Sequence, residues 1–121
     1  MLIIDGHLDL SMNALQWDRD LLQSVYTIRV QENRDPQKGR AQGTVAFPEM
    51  RQGRIALSFA TLISRSTGHP APLIDFRSPT QAYGMAHGQL AYYRALEQKG
   101  HIRIITDRAG LDSHMTEWQS F

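Results

Sequence analysis

The sequence contains no cysteine. That excludes disulfides, cysteine-ligated zinc fingers, iron–sulfur clusters and thiol nucleophiles, and it fits a reducing compartment. Long apolar runs are missing too. Nothing approaches the roughly 18 uninterrupted apolar residues that a bilayer span requires, and Met1-Leu2-Ile3-Ile4 meets Asp5 at once, which leaves no room for a signal core. No sign of charge dominates: 13 basic and 12 acidic residues leave a formal charge of +1. They form no basic block, so electrostatics gives no reason to expect a nucleic-acid or membrane partner. The expectation is a cytoplasmic protein. What is present is ordinary for a globular chain: 121 residues, 41% hydrophobic and 21% charged, enough for one domain with its own core.

The pattern along the chain alternates strand and helix. Leu2 to Leu10 is a short apolar opening run that reads as a buried strand. Leu21, Leu22, Val25 and Ile28 fall near helical spacing and predict a helix within Trp17 to Gln31. A polar loop comes next, at Asn33-Arg34-Asp35-Pro36-Gln37-Lys38-Gly39. Ile55 to Ile63 is a second strand candidate, entered through Gly53. The segment Ser64 to Phe76 carries Gly68, Pro70 and Pro72 and reads as a long loop. The clearest helix opens at Ser78-Pro79, where serine caps free amides and proline at the first position loses no hydrogen bond. Ala82, Met85, Ala86, Leu90, Tyr93 and Leu96 mark its apolar stripe, and Gly100 closes it. A third strand is expected at Ile102 to Ile105, then a short helix capped by Thr106 or Asp107 and running towards Trp118. This order is that of right-handed β/α units around a parallel sheet, an α/β fold.

One segment carries chemistry. In Ile3-Ile4-Asp5-Gly6-His7-Leu8-Asp9-Leu10, residues two apart on a strand share a face, so His7 and Asp9 project together with Asp5 below them. They stand at the carboxyl end of the strand, where α/β barrels place reactive groups. An imidazole nitrogen and a carboxylate oxygen are both good zinc ligands at this spacing, and Asp5 could orient an imidazole from behind. His-x-Asp by itself reads first as a histidine hydrogen-bonded within a sheet. Three polar groups on an apolar strand, costly to bury without a purpose, bring the metal reading level with it. The other histidines are bland. His114 and Glu117 have helical ligand spacing but no partner motif; His87 reads as a polar-face or satisfied helix residue, His101 as a neighbour of a helix end, His69 as a loop residue.

The run Asp5-Gly6-His7-Leu8-Asp9-Leu10 resembles the opening Asp-Gly-His-x-Asp-Leu of renal (membrane) dipeptidases, a branch of the amidohydrolase superfamily. Phe47-Pro48-Glu49-Met50-Arg51-Gln52-Gly53 is similar to that family's proline-containing segment before its second strand. The stretch from Tyr83 to Thr106 resembles its first long barrel helix and the region after that helix. The resemblance implies the N-terminal portion of a (β/α)8 TIM-type barrel, about three β/α units within residues 1–121. It implies two zinc ions in the complete enzyme, with His7 and Asp9 binding one. A bridging glutamate and two later histidines would complete the pair, and a hydroxide shared by the ions would attack the peptide carbonyl of a dipeptide.

Such a barrel needs about 250 residues. Glu117, in Ser113-His114-Met115-Thr116-Glu117-Trp118, reads as a solvated helix residue rather than the bridging ligand. The expectation is therefore half of a zinc site, holding metal poorly and hydrolysing nothing alone. Two further readings stand beside the dipeptidase. One is another amidohydrolase, acting on cyclic amides or N-acyl amino acids. The other is a non-catalytic half-barrel remnant that buries an open sheet edge by homo-oligomerisation or against a partner.

Overall fold

The computed structural model describes residues 1–120. The chain is mixed α/β. Strand β1 (Ile3–Leu8) is followed by helices α1 (Leu10–Leu15), α2 (Val25–Glu32) and α3 (Phe47–Gln52). Strand β2 (Ile55–Ala60) and helices α4 (Pro79–Gln98) and α5 (Arg108–Gln119) complete the described residues. The two strands pair in parallel, Ile3 opposite Ile55 and Leu8 opposite Ala60, with the register slipping between Asp5 and Leu8. Parallel neighbours need a crossover connection, and α1, α2 and α3 provide it.

Several expected elements move, each for a local reason. The opening strand stops at Leu8, and Leu10 instead begins α1 and is buried. Nor is the strand buried: Ile3 and Ile4 are exposed, because β2 covers one edge and no second layer covers both faces. The helix expected from Trp17 starts only at Val25. Asp18 takes a left-handed φ of 53°, which breaks a helix there, and Ser24 caps the real start by accepting from the Thr27 amide at 3.2 Å. Phe47 to Gln52 is a helix rather than a connecting segment; Pro48 sits in its first turn, where its missing N–H costs nothing. Gly53 caps its end, its amide donating to the Glu49 carbonyl at 2.8 Å.

Ile102 to Ile105 is not a strand. The Ile104 amide is taken by the Glu97 carboxylate of α4 at 2.7 Å, and the Ala56 carbonyl of β2 is taken by His114 Nε2 of α5 at 2.7 Å. Side chains thus occupy backbone groups that a third strand would use. An open groove of about 960 Å3 remains between β2, the 100–105 segment and α5. The final helix does begin where expected, with Asp107 accepting from the Gly110 amide at 2.7 Å. The long helix also starts at its serine cap, with Pro79 in the first turn.

The core is small and lies to one side of the sheet. Leu10, Leu21, Val25, Ile28, Ala46, Phe47, Tyr93 and Leu96 form one cluster. Leu21 reaches it from a loop, its carbonyl accepting from the Phe47 amide at 2.9 Å. Two polar devices fix the rest. In the first, Arg19 forks onto Glu32 (Nε–Oε2 2.8 Å, Nη2–Oε1 2.9 Å) while Arg40 adds a contact at 3.1 Å. The two guanidinium groups stand 4.8 and 5.1 Å from the centre of the Trp17 ring. Gly39, at φ 92°, gives that ring its space, since a β-carbon would approach it to 2.8 Å.

In the second device, Gln89, wholly buried on α4, closes a two-bonded clasp on the Ile63 backbone. Its Oε1 accepts from the Ile63 amide and its Nε2 donates to the Ile63 carbonyl, both at 2.7 Å. One turn on, the Tyr93 hydroxyl donates to the Thr61 carbonyl at 2.9 Å and accepts from the Ser11 amide at 3.0 Å.

Two consequences can be measured. Gln89→Leu orphans the Ile63 amide, a loss of about 1–3 kcal/mol; calorimetry should show a melting temperature lower by roughly 5–15 °C, and an unchanged melt would refute the clasp. Glu32 supplies the second. Its hydrogen bond from Arg19, with those from Ala41 and Arg40, holds its carboxyl at about 2 against an ordinary 4.5. A depressed carboxylate stabilises the fold above its unfolded value, and that stability fades as pH falls from about 4.5 towards 2. Glu32→Gln should melt lower at neutral pH and show a flatter melting curve over that acid window.

Candidate metal centre

The carboxyl end of β1 brings His7 and Asp9 together. His7 Nε2 lies 3.2 Å from Asp9 Oδ1, with the histidine side chain 72% exposed and the aspartate 29%. They meet by a route other than a regular pleat. The register slip after Asp5 interrupts the alternation, and Asp9 stands beyond the strand as the residue before α1, at φ −88° and ψ 55°. Its backbone carbonyl is occupied by the Asn13 amide and side chain, at 3.1 and 2.8 Å, which ties it to the first turn of α1.

Asp5 does not touch an imidazole. Its Oδ1 accepts from the His7 backbone amide at 2.9 Å, within β1. Asp5 therefore shapes the backbone that carries His7 and does not orient its ring. Gly6 has open space where a β-carbon would be, so no close neighbour requires a glycine there.

The donor set fits one zinc ion in part. Nitrogen and oxygen ligands bind zinc at about 2.0–2.2 Å, which in a tetrahedron places two ligand atoms roughly 3.4 Å apart. The observed 3.2 Å is close to that edge. Among the described residues no group of three or more histidine, aspartate or glutamate side chains gathers. His7 and Asp9 thus supply two ligand positions, and water or other groups must supply the remainder.

The other candidates are engaged elsewhere. His114 is bonded to the Ala56 carbonyl, and Glu117 pairs with Arg103 at 2.9 Å, so the two do not form a helical ligand pair. His87 packs its ring on Tyr83, with centroids 4.3 Å apart. The His101 amide donates to the Leu96 carbonyl at the end of α4. In the loop before α4, Asp75 accepts from the Thr67 amide and hydroxyl at 3.0 and 2.6 Å. Those bonds, with Arg65 alongside, hold its carboxyl below the ordinary range and organise the loop.

Sequence reading passes over three residues of this neighbourhood. Thr61, just after β2, donates its hydroxyl to Asp9 Oδ1. Ser11 donates its hydroxyl to the Thr61 carbonyl at 3.0 Å, and Gln89 stands behind both. The one readable signal was Gln89 itself, a polar side chain four residues before Tyr93 on the buried face of α4. Comparison with known proteins adds nothing here: no family model, no curated protein and no solved structure matches this chain. No helix among the described residues is long and apolar enough to cross a membrane.

If His7 and Asp9 share one ion, titration with Co2+ should produce a visible ligand-field band that saturates at one ion per chain. His7→Ala and Asp9→Asn should each abolish the saturation; a band that survives both places the metal elsewhere.

Proposed function

We propose that this chain is the opening portion of a zinc-dependent dipeptidase of the amidohydrolase type, contributing one half of a two-zinc centre. The observation that carries the reading is the meeting of His7 Nε2 and Asp9 Oδ1 at the carboxyl end of the first of two parallel strands. That is the end of a β/α unit where barrels assemble their sites. The strand, its parallel neighbour and the intervening helices are consistent with the start of a (β/α)8 barrel. In such a centre zinc supplies Lewis acidity towards a dipeptide carbonyl. The chain's own part is to present an imidazole nitrogen and a carboxylate oxygen at one ligand spacing, the imidazole well exposed. The same half-site would serve an amidohydrolase acting on a cyclic amide or an N-acyl amino acid, since the ligands do not choose the acyl group.

The test separates metal from chemistry. The purified chain, loaded with zinc, should bind the ion weakly and release no amino acid from a panel of dipeptides, because two ligands leave the ion underheld. Zinc uptake indifferent to His7→Ala would remove the dipeptidase reading.

A second reading, a non-catalytic protein that associates with itself, rests on the groove beside β2. The sheet has two strands, and the groove is walled by Leu57, Phe59, Ile102, Ile104, Leu111 and Trp118. Phe59 and Leu62 at its mouth are exposed. A second copy covering that face would bury apolar surface and protect an open edge. Light scattering should then show a dimer that Phe59→Asp dissociates. A 13.8 kDa monomer at every concentration would sink this alternative.

A further inference from the structure

Asp9 has one partner that the metal reading does not call on. The Thr61 hydroxyl has a single proton and two acceptors within reach, the Leu8 carbonyl at 3.5 Å and Asp9 Oδ1 much closer. The Leu8 carbonyl accepts from the Thr61 amide at 3.1 Å and lies at the edge of hydrogen-bond reach of the hydroxyl, so by distance the hydroxyl proton goes to the carboxylate. The base of this side chain cannot drift. The Thr61 amide is bonded to β1, and its carbonyl accepts both the Tyr93 hydroxyl of α4 and the Ser11 hydroxyl of α1. A β-branched residue so held has few χ1 choices.

We propose that Thr61 is a positioning residue: its hydroxyl fixes the Asp9 carboxylate in the rotamer that meets His7, and so sets how tightly the chain holds zinc. The inference rests on the metal reading for its consequence but not for its geometry. A carboxylate oxygen has two lone pairs. One takes the Thr61 proton, which leaves the other on Oδ1, and both on Oδ2, for an ion beside His7 Nε2. Without the hydroxyl, the partly exposed carboxylate is free to turn towards water and the ligand spacing is lost for part of the time. Outer partners of metal-binding carboxylates are worth about 10–100-fold in affinity. The lower end applies here, because the ion has few protein ligands to amplify the effect.

The test uses the full chain, with Thr61→Val, which keeps the shape and loses the donor, and Thr61→Ser, which keeps the donor. In the metal-free protein, three-bond couplings report the Asp9 χ1 angle. They should give a single rotamer in the wild type and in Thr61→Ser, and averaged couplings in Thr61→Val. Zinc titration should show an affinity about tenfold weaker for Thr61→Val and near wild type for Thr61→Ser. Amide spectra establish that each variant is folded. A single Asp9 rotamer in folded Thr61→Val overturns the inference, as does undiminished zinc affinity when His7→Ala loses it. Should the wild type take up no zinc through His7, the metal reading falls by itself, and the rotamer measurement still decides whether Thr61 positions Asp9.

Discussion

The side-chain amide of Gln89 is the contact on which the site end of this molecule depends. It lies fully buried on α4 and holds both backbone groups of Ile63, just past the end of β2. Gln16, beyond α1, reaches the same Ile63 carbonyl at 3.2 Å. One turn further along α4, Tyr93 ties Thr61 to Ser11. Side chains from two helices, α1 with its C-cap and α4, therefore converge on the backbone of Thr61 and Ile63, and partly buried polar groups paired in this way resist local opening. The consequence is geometric. The carboxyl ends of two parallel strands are locked to each other through their flanking helices, more firmly than one pair of strands achieves alone. Asp9 and Thr61 belong to that locked frame.

Away from it the fold is lopsided. The apolar cluster sits between α1, α2, α3 and α4, and the Arg19–Glu32–Arg40 group staples the long crossover that carries three of those elements. Beyond β2 the packing opens. No residue of α5 is buried. Its hold on the sheet includes one imidazole on one edge carbonyl, and Trp118 keeps a buried Nε1 with no acceptor. The groove, which reaches as far as Tyr93, and the clasp of Gln89 and Tyr93 describe one molecule with a determined part and an under-covered part. A hydrophobic core grows only as far as it has faces to join.

Much of the determined part was legible. The serine and aspartate caps of α4 and α5 are local chemistry, set by a side chain and an amide three residues apart, and they fall where the sequence places them. The apolar stripe of α4 correctly marks Tyr93 and Leu96 as core. Two kinds of information were not legible. The first is backbone conformation without a glycine or proline signal, as at Asp18, whose left-handed φ postpones α2 by several residues. The second is substitution of side chains for strands. Ile102 to Ile105 has strand composition, yet Glu97 and His114 take the hydrogen bonds from which pairing would be built. Composition reports what a segment can do; the partners of its amides decide what it does. The site divides in the same way. The nearness of His7 and Asp9 follows from their spacing, although the regular alternation of the strand is interrupted between Asp5 and Leu8. Asp5, placed beneath an imidazole by that alternation, instead holds an amide.

The two ligand candidates are not held equally, and the difference bears on how an ion would be captured. Asp9 is anchored twice, its carbonyl on α1 and its carboxylate on Thr61. His7 projects into solvent, steadied at its backbone by Asp5 and at its ring by the contact with Asp9. Ordering a free side chain costs up to about 1–2 kcal/mol, and in this arrangement the cost falls on the histidine. A metal ion would therefore meet a carboxylate already in place and recruit the imidazole to it. An anchored carboxylate beside a more exposed imidazole lets the histidine adjust to an ion without disturbing the frame. The firmness of that frame traces back through Thr61 to Tyr93 and Gln89, so the chemistry proposed for the end of β1 depends on a helix that begins far along the chain, at Pro79.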